Sequence, residues 1–201
     1  MSSSRDKILS ALRANTRETY EQPDLSGLNP ITYDDPVAQF KMKATTTAGA
    51  RLIELPAGGD LNAAIREAYP DAEVIASNLE GVKADLNPDT VSEAQELERV
   101  DVGVIRGEIG VAENACIWIP QTMKEKAICF ASEYLVIVLD TSKIVNNMHE
   151  AYALIDASKD YFHPYPFGTF ISGPSKTADI ESALVYGAQA ARGVTIMLKS
   201  F

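Results

Sequence analysis

Short apolar runs alternate with amphipathic segments along most of this 201-residue chain. From residue 51 onward, runs of four to seven residues that suit buried strands are separated by stretches with apolar residues at helical spacing. Helices are predicted over 60–69 and 92–99 and from 147 to about 155. Strands are predicted over 51–55, 72–77, 100–106, 115–119, 127–130, 135–139, 169–172 and 194–199. This alternation is typical of an α/β domain with a largely parallel or mixed sheet.

The first 20 residues predict a helix outside this alternating pattern. Ser4 is a candidate N-cap, and three apolar residues recur on one face: Ile8, Leu9 and Leu12. A polar connection with Pro23, Gly27 and Pro30 follows. We therefore expect an N-terminal helix and linker over 1–30 and the main domain over 31–201.

The main domain is expected to open with a helix that carries its own start and stop signals. Asp35 is a capping residue, and Pro36 follows at the first helical position, where proline is tolerated. Gly49 is a typical stop signal, because glycine adopts the left-handed conformation that ends many helices. Asn147 predicts the start of a later helix in the same way.

The charge balance limits the classes of partner. With 18 Lys and Arg against 28 Asp and Glu, the formal net charge is −10. Nonspecific nucleic-acid binding and docking on an anionic membrane both need a basic surface. The sequence shows no signal peptide and no apolar run long enough to span a bilayer. We expect a cytoplasmic protein without membrane insertion or nucleic-acid binding, whose partners are small molecules or other proteins.

Neither a metal nor a cofactor is expected from the sequence. Cys116 and Cys129 are too few for a thiolate cluster and are interpreted as small apolar residues on neighbouring strands. His149 and His163 have no neighbours at metal-ligand spacing. The glycine patterns of dinucleotide-binding folds and of P-loops are missing as well.

The segment 172–177 is the first candidate site, because it combines a tight turn with polar side chains. Gly173 and Pro174 turn the chain directly after a predicted strand, and a helix start or an extended turn is expected next. Backbone amides, hydroxyl groups and a lysine suit an anion. The candidate anion-binding residues are Ser172, Gly173, Ser175, Lys176, Thr177 and Asp179. The alternative is a structural turn with a solvated lysine.

Glu113 and Asn114 are the second candidate site. Glu113 lies at the edge of an apolar region, where a carboxylate can act as an acid, a base or a nucleophile. Asn114 is placed to donate a hydrogen bond to a developing oxyanion. The alternative is an ordinary carboxylate at a strand end that accepts hydrogen bonds from backbone amides.

Three segments in this order resemble the LUD-domain family, of the lactate utilisation protein C type. They are 101–104 (Asp-Val-Gly-Val), 110–113 (Gly-Val-Ala-Glu) and 171–181, which begins Ile-Ser-Gly-Pro-Ser-Lys-Thr. The resemblance covers roughly 35–199. It implies a Rossmann-like mixed sheet flanked by helices, related to sugar-phosphate isomerases, glucosamine-phosphate deaminases and CoA-transferases. It also implies an accessory role beside iron–sulfur and oxidoreductase subunits that oxidise L-lactate to pyruvate.

Two departures from the family pattern bear on function. Glu113-Asn114-Ala115 stands where the family usually has Glu-Thr-Gly, and it resembles the segment that bears the catalytic glutamate of class I CoA-transferases. The stretch 187–192 lacks a histidine that the family commonly shows. The resemblance therefore leaves two alternatives to the accessory subunit: a stand-alone CoA-transferase-like or phospho-ligand enzyme that uses Glu113, and a non-catalytic assembly module.

Overall fold

The structure is a computed structural model that describes residues 3–18, 20–21, 23–24, 27–158, 165, 167–180 and 183–200. His163 lies outside these residues. The first helix, α1, spans Ser4–Asn15, and its cap is Ser3 rather than Ser4. Ser3 and Asp6 form a reciprocal capping box. None of the residues of α1 is buried.

The remaining elements follow in chain order. The helices are α2 (Pro36–Lys43), α3 (Leu61–Ala68), α4 (Ile128–Ala131) and α5 (Met148–Ala157). The strands are β1 (Arg51–Leu55), β2 (Ile75–Ala76), β3 (Val102–Gly107), β4 (Ile109–Val111), β5 (Ile117–Pro120), β6 (Tyr134–Asp140), β7 (Ile144–Val145), β8 (Gly168–Ile171), β9 (Lys176–Ile180), β10 (Ala183–Tyr186) and β11 (Gly193–Lys199).

A five-stranded parallel sheet forms the centre, with strand order β1-β11-β6-β3-β2. Its outer face packs on α3, where Ile65 is buried against Val104 and Val136. Its inner face packs on α2, α4 and β5 through Phe40, Ile128 and other buried residues. The expected α/β fold with a parallel sheet flanked by helices is therefore confirmed.

A second, four-stranded sheet has the order β7-β4-β5-β8. Alternate residues of β5 face opposite layers, since Ile117 joins the inner core and Trp118 packs toward α5. Trp118 is 7% exposed and lies 5.0 Å from the Phe170 ring, between centroids. The strands of the described residues thus form three sheets, the third being the two-stranded pair of β9 and β10.

The predicted helix signals at 35–49 and 147 are confirmed. Asp35 accepts a hydrogen bond from the Ala38 amide, and α2 continues as a π-helical turn over Ala44–Ala48. Gly49 ends that turn in the left-handed conformation, with a φ of 75°. The Asn147 side chain caps α5 by accepting from the Glu150 amide.

Several local predictions need correction. Residues 127–130, predicted as a strand, form the N-cap and the first three residues of helix α4, whose Ala131 amide donates to the Ala127 carbonyl at 2.7 Å. Cys129 therefore lies in a helix, and Cys116 directly precedes β5. The polar helix expected over 92–99 is a 3₁₀ helix over Ala94–Arg99. The strand expected over 72–77 shortens to β2.

The segment after the 172–175 turn is also different from the expectation. Lys176–Ile180 forms strand β9, which pairs antiparallel with β10, rather than a helix start. No helix in the described part of the chain is long and apolar enough to cross a membrane.

Candidate functional site

The two candidate motifs meet in the structure. The Ser172 hydroxyl donates a hydrogen bond to the Asn114 carbonyl at 3.0 Å. Antiparallel pairing of β5 with β8, which sets Ile117 opposite Ile171, brings the two loops together. Residues 58 positions apart in the chain are thereby neighbours. We call the residues Glu113, Asn114, Cys116 and Ser172 the loop cluster.

Glu113 connects the second sheet to helix α5. Its amide donates to the Asn146 carbonyl at 3.0 Å, and its Oε2 accepts from the Met148 amide at 3.0 Å. Met148 is the first residue of α5, so the carboxylate lies at the positive end of the helix dipole. This is the geometry of a helix-capping carboxylate. Whether Glu113 also performs acid–base or nucleophilic work stays a prediction.

Asn114 and Ala115 shape the turn between β4 and β5. The Asn114 side-chain oxygen accepts from the Cys116 amide at 3.0 Å, which forms an Asx-type turn. Ala115 is fully buried and has a φ of 56°, in the left-handed region that glycine adopts at low cost. The turn therefore places a non-glycine residue in a conformation that favours glycine.

Cys116 is the half-buried thiol of the loop cluster. Burial is the main influence and raises its pKa, whereas a hydrogen bond with Ser172 lowers the pKa and the charge of Glu113 raises it. Because a protonated thiol is a weak nucleophile, Cys116 has the character of a polar packing residue.

Gly173 and Lys176 fasten the predicted anion loop to the end of the α2 extension. Gly173 has a φ of 68°, and a Cβ atom there would overlap the Ala48 carbonyl oxygen. The Lys176 ammonium donates to the Ala48 carbonyl and, at 3.3 Å, to the Thr47 carbonyl. These carbonyls belong to the negative end of the helical segment, which favours a cation.

The remaining residues of the anion-binding prediction hold the hairpin. The Ser175 amide donates to the Ala191 carbonyl at 2.9 Å, and its carbonyl accepts from the Gly187 amide at 3.1 Å. Thr177 pairs with Val185 in the β9–β10 ladder. Asp179 belongs to β9, but its side chain lies outside the described part of the structure. Anion binding by this segment stays a prediction.

A cleft of about 600 Å³ lies at the amino ends of the parallel strands, and the sequence does not predict it. From the predicted anion loop, only Pro174 is among the lining residues described. The polar side chains that line this amino-end cleft are Arg51, Tyr69, Asp71, Asp101, Glu133, Tyr134, Tyr186, Arg192 and Thr195. A motif search does not reveal them, because they come from six separate segments.

Hydrogen bonds and ring contacts order the amino-end cleft. Arg192 lies 2.6 Å from the Glu133 carboxylate, donates to the Tyr134 hydroxyl at 3.0 Å, and packs over the Tyr134 ring at 4.9 Å. The Tyr69 and Thr195 hydroxyls are 2.7 Å apart. Burial raises the pKa of Tyr69, although this hydrogen bond and the nearby Arg51 charge lower it. The Tyr69 phenol is therefore held as a neutral hydrogen-bonding group.

Among the described residues, no group of three or more His, Cys, Asp or Glu side chains is arranged to hold a metal ion.

Comparisons with known proteins identify the family. A sequence model of the LUD domain matches residues 42–198. The uncharacterised protein NMB1437 of Neisseria meningitidis serogroup B is 28% identical over 161 residues, which cover 79% of this chain and 65% of that protein. A crystal structure of a DUF162 family protein from Deinococcus radiodurans shares the fold, with a TM-score of 0.64, 15% identity, and coverage of 85% of this chain and 99% of that one. On the extent of the sequence-model match, this chain belongs to the LUD-domain family.

Proposed function

We propose that this chain is an accessory subunit of a system that oxidises L-lactate to pyruvate, working with iron–sulfur and oxidoreductase subunits. The observation that carries this proposal is the LUD-domain match over residues 42–198, a family associated with lactate utilisation. This chain matches 65% of the length of the N. meningitidis relative, so that protein extends beyond the matched region. The activity of a whole relative is therefore proposed, and not established, for this chain.

The oxidation removes two electrons and two protons from the hydroxy acid, so an electron acceptor must take part. In this proposal the partner subunits accept the electrons, and this chain contributes to binding and assembly. The environments of its two thiols support that division. Burial raises the pKa of Cys129 in α4 to about 12, and burial also raises the pKa of Cys116 in the loop cluster. Both thiols are therefore kept in the protonated form, which neither ligates metals nor attacks disulfides readily.

Reconstitution tests the proposal. The chain is purified from its native cells by a mild affinity step, and the co-purified subunits are assayed for L-lactate-dependent reduction of an artificial electron acceptor. We expect iron–sulfur and oxidoreductase subunits to co-purify, and we expect activity to fall when this chain is left out. Recovery of the chain alone, or full activity without it, would contradict the proposal.

The loop cluster favours one second candidate, a stand-alone enzyme with Glu113 as nucleophile or base. The supporting observation is that the Glu113 charge acts on the Cys116 thiol, while Ser172 donates a hydrogen bond to the carbonyl of the neighbouring Asn114. The hydrogen bond from the Met148 amide to Glu113 weighs against it, because that bond already engages one carboxylate oxygen. Turnover of an acyl-CoA and a free acid by the isolated chain, lost in Glu113→Gln, would establish this alternative.

A further inference from the structure

Helix α1 presents an apolar face to solvent. Ile8 is 61% exposed and Leu12 is 60% exposed. They are four residues apart and therefore lie on the same side of the helix. Local bonds close both ends of α1: the capping box of Ser3 and Asp6 at its start, and the Thr16 hydroxyl, which donates to the Leu12 carbonyl at 2.8 Å, at its end. Because a helix of this length is marginal in water without packing, we expect a partner surface to cover its apolar face.

Helix α5 presents a second exposed apolar face. Seven of its ten residues are apolar, and they occur on every side of the helix. Ala151 and Ile155 are buried against the second sheet. On the outer side, Tyr152 is 53% exposed and Leu154 is 47% exposed, and Ala153 between them is exposed as well. A helix that is apolar all round is normally buried all round, so this outer side suits an interface with another protein chain.

The two helices carry opposite charges. Helix α1 has three basic residues and one acidic residue, Asp6, which is engaged in the capping box. Helix α5 has two acidic residues, Glu150 and Asp156, and neither lysine nor arginine. In a chain with a formal net charge of −10, most of the surface repels a second copy. These two helices therefore offer the opposite charges that can hold two copies in one orientation.

The chain that follows α1 is anchored beside the start of α5. The Tyr33 amide donates to the Asn146 side-chain oxygen at 2.9 Å, and the Asn147 side chain donates to the Ile31 carbonyl at 2.8 Å. Residues 16–30 join α1 to this anchor, and a chain of that length spans at most about 50 Å. A domain of this size has a radius of gyration of about 16 Å, so the linker is long enough for α1 to reach a neighbouring copy on the α5 side.

We propose that α1 of one copy packs on the outer side of α5 of a second copy, and that the exchange is reciprocal. Within one copy both faces are open, so each face finds its partner in the other copy. Ile8 and Leu12 contact the side chains of Tyr152 and Leu154, and the opposite charges of the helices set the orientation. A reciprocal contact related by two-fold symmetry closes at two copies and leaves neither face exposed.

Sedimentation of the full chain over the micromolar concentration range tests this dimer. Leu12→Ser in α1 and Leu154→Ser in α5 should each raise the dimer dissociation constant by about ten-fold or more, since each removes an apolar side chain from both reciprocal contacts. Leu184→Ser in β10 is the matched control, because Leu184 is 55% exposed and lies outside both helices. This control should leave the dissociation constant unchanged. Leu12→Ser leaves the folded body intact, since no residue of α1 is buried.

Mixing the two variants tests the exchange itself. A dimer of one Leu12→Ser chain and one Leu154→Ser chain keeps one unaltered contact, between α1 of the second chain and α5 of the first. An equimolar mixture should therefore associate more tightly than either variant alone. Circular dichroism of each variant shows whether it is folded before mixing.

Four outcomes would overturn the proposal. They are a monomer at every concentration, as expected if α1 packs on its own copy; equal weakening by Leu184→Ser; a mixture that associates no better than the separate variants; and Leu12-dependent binding to phosphatidylserine vesicles, which would assign α1 to a lipid surface. The experiment uses this chain alone, so its result is independent of the iron–sulfur and oxidoreductase subunits in the proposed function.

Discussion

Replacing Lys176 by methionine separates a structural role of the 172–177 segment from a role in anion binding. Methionine keeps most of the apolar stem and removes the ammonium that donates to the Thr47 and Ala48 carbonyls. Those carbonyls end the π-helical extension of α2, one residue before Gly49. If the ammonium acts as a C-terminal cap, its loss must lower the free energy of unfolding.

The size of the effect follows from the contacts. A hydrogen bond from a charged donor contributes about 1.5–3 kcal/mol when it is well shielded. A cation at a helix C-terminus contributes about 0.3–1 kcal/mol at an exposed position. Since Lys176 is exposed, we take the lower range and expect a loss of about 1 kcal/mol, with the Tm falling by about 2–4 °C for a chain of this size.

Urea unfolding followed by circular dichroism measures this loss, and a phosphate titration runs in parallel. Lys143→Met, at an exposed position in a 3₁₀ turn, is the control and should change stability by less than about 0.5 kcal/mol. The sequence-based prediction of an anion site expects Lys176→Met to weaken phosphate binding, less so at high salt. Unchanged stability together with lost phosphate binding would refute the capping argument.

Three further predictions concern other residues. Glu113→Gln should lower the free energy of unfolding by about 1 kcal/mol, because the Met148 amide loses a charged acceptor. The lactate-dependent activity of the reconstituted system should persist in this variant. Lost activity at unchanged stability would instead make Glu113 catalytic. Gly173→Ala should destabilise by more than about 2 kcal/mol in urea unfolding, since its Cβ overlaps the Ala48 carbonyl at a positive φ; wild-type stability would show that this backbone contact yields. The pKa of Tyr69 is raised in the folded state, so the stabilising contribution of its proton should be lost as the pH rises above about 10 and through the folded pKa. Tyr69→Phe should remove this part of the alkaline loss in the free energy of unfolding. An unchanged pH profile of stability in this variant would contradict the assignment.

The sequence predicts the fold well where local signals and tertiary packing agree. Asp35, Pro36 and Gly49 mark the bounds of the α2 region, and Asn147 marks the start of α5. These residues act through local hydrogen bonds and backbone preference, so the chain sequence alone reveals their effect.

Short apolar segments are less predictable, because a strand and a buried helical turn share the same composition. Residues 127–130 contain Ile128 and Cys129, which are buried whether the backbone is extended or helical. In the structure the segment is helical, and the Ser132 hydroxyl donates to the Ile128 carbonyl at 3.1 Å. Apolar periodicity does not reveal this contact, which joins residues four positions apart.

The candidate site shows the same division. Each of the two motifs, 113–114 and 172–177, is one continuous stretch of sequence. The pairing of β5 with β8 brings them together at the hydrogen bond between Ser172 and Asn114. The amino-end cleft is assembled from the ends of several strands instead. Arg192 belongs to no recognisable motif, and only the sheet topology makes it a lining residue of this cleft.

The length of one helix accounts for the position of two cavities. Helix α3 has eight residues and is about 12 Å long, whereas β6 and β11 have seven residues each and extend about 23 Å. A helix this short covers the middle of the strands and leaves both ends open. Ala68 and Tyr69 at its end border the amino-end cleft, and Leu61 at its start borders a cavity of about 340 Å³ at the carboxyl ends of the strands. The two ends of one short helix therefore each form part of the wall of a cavity.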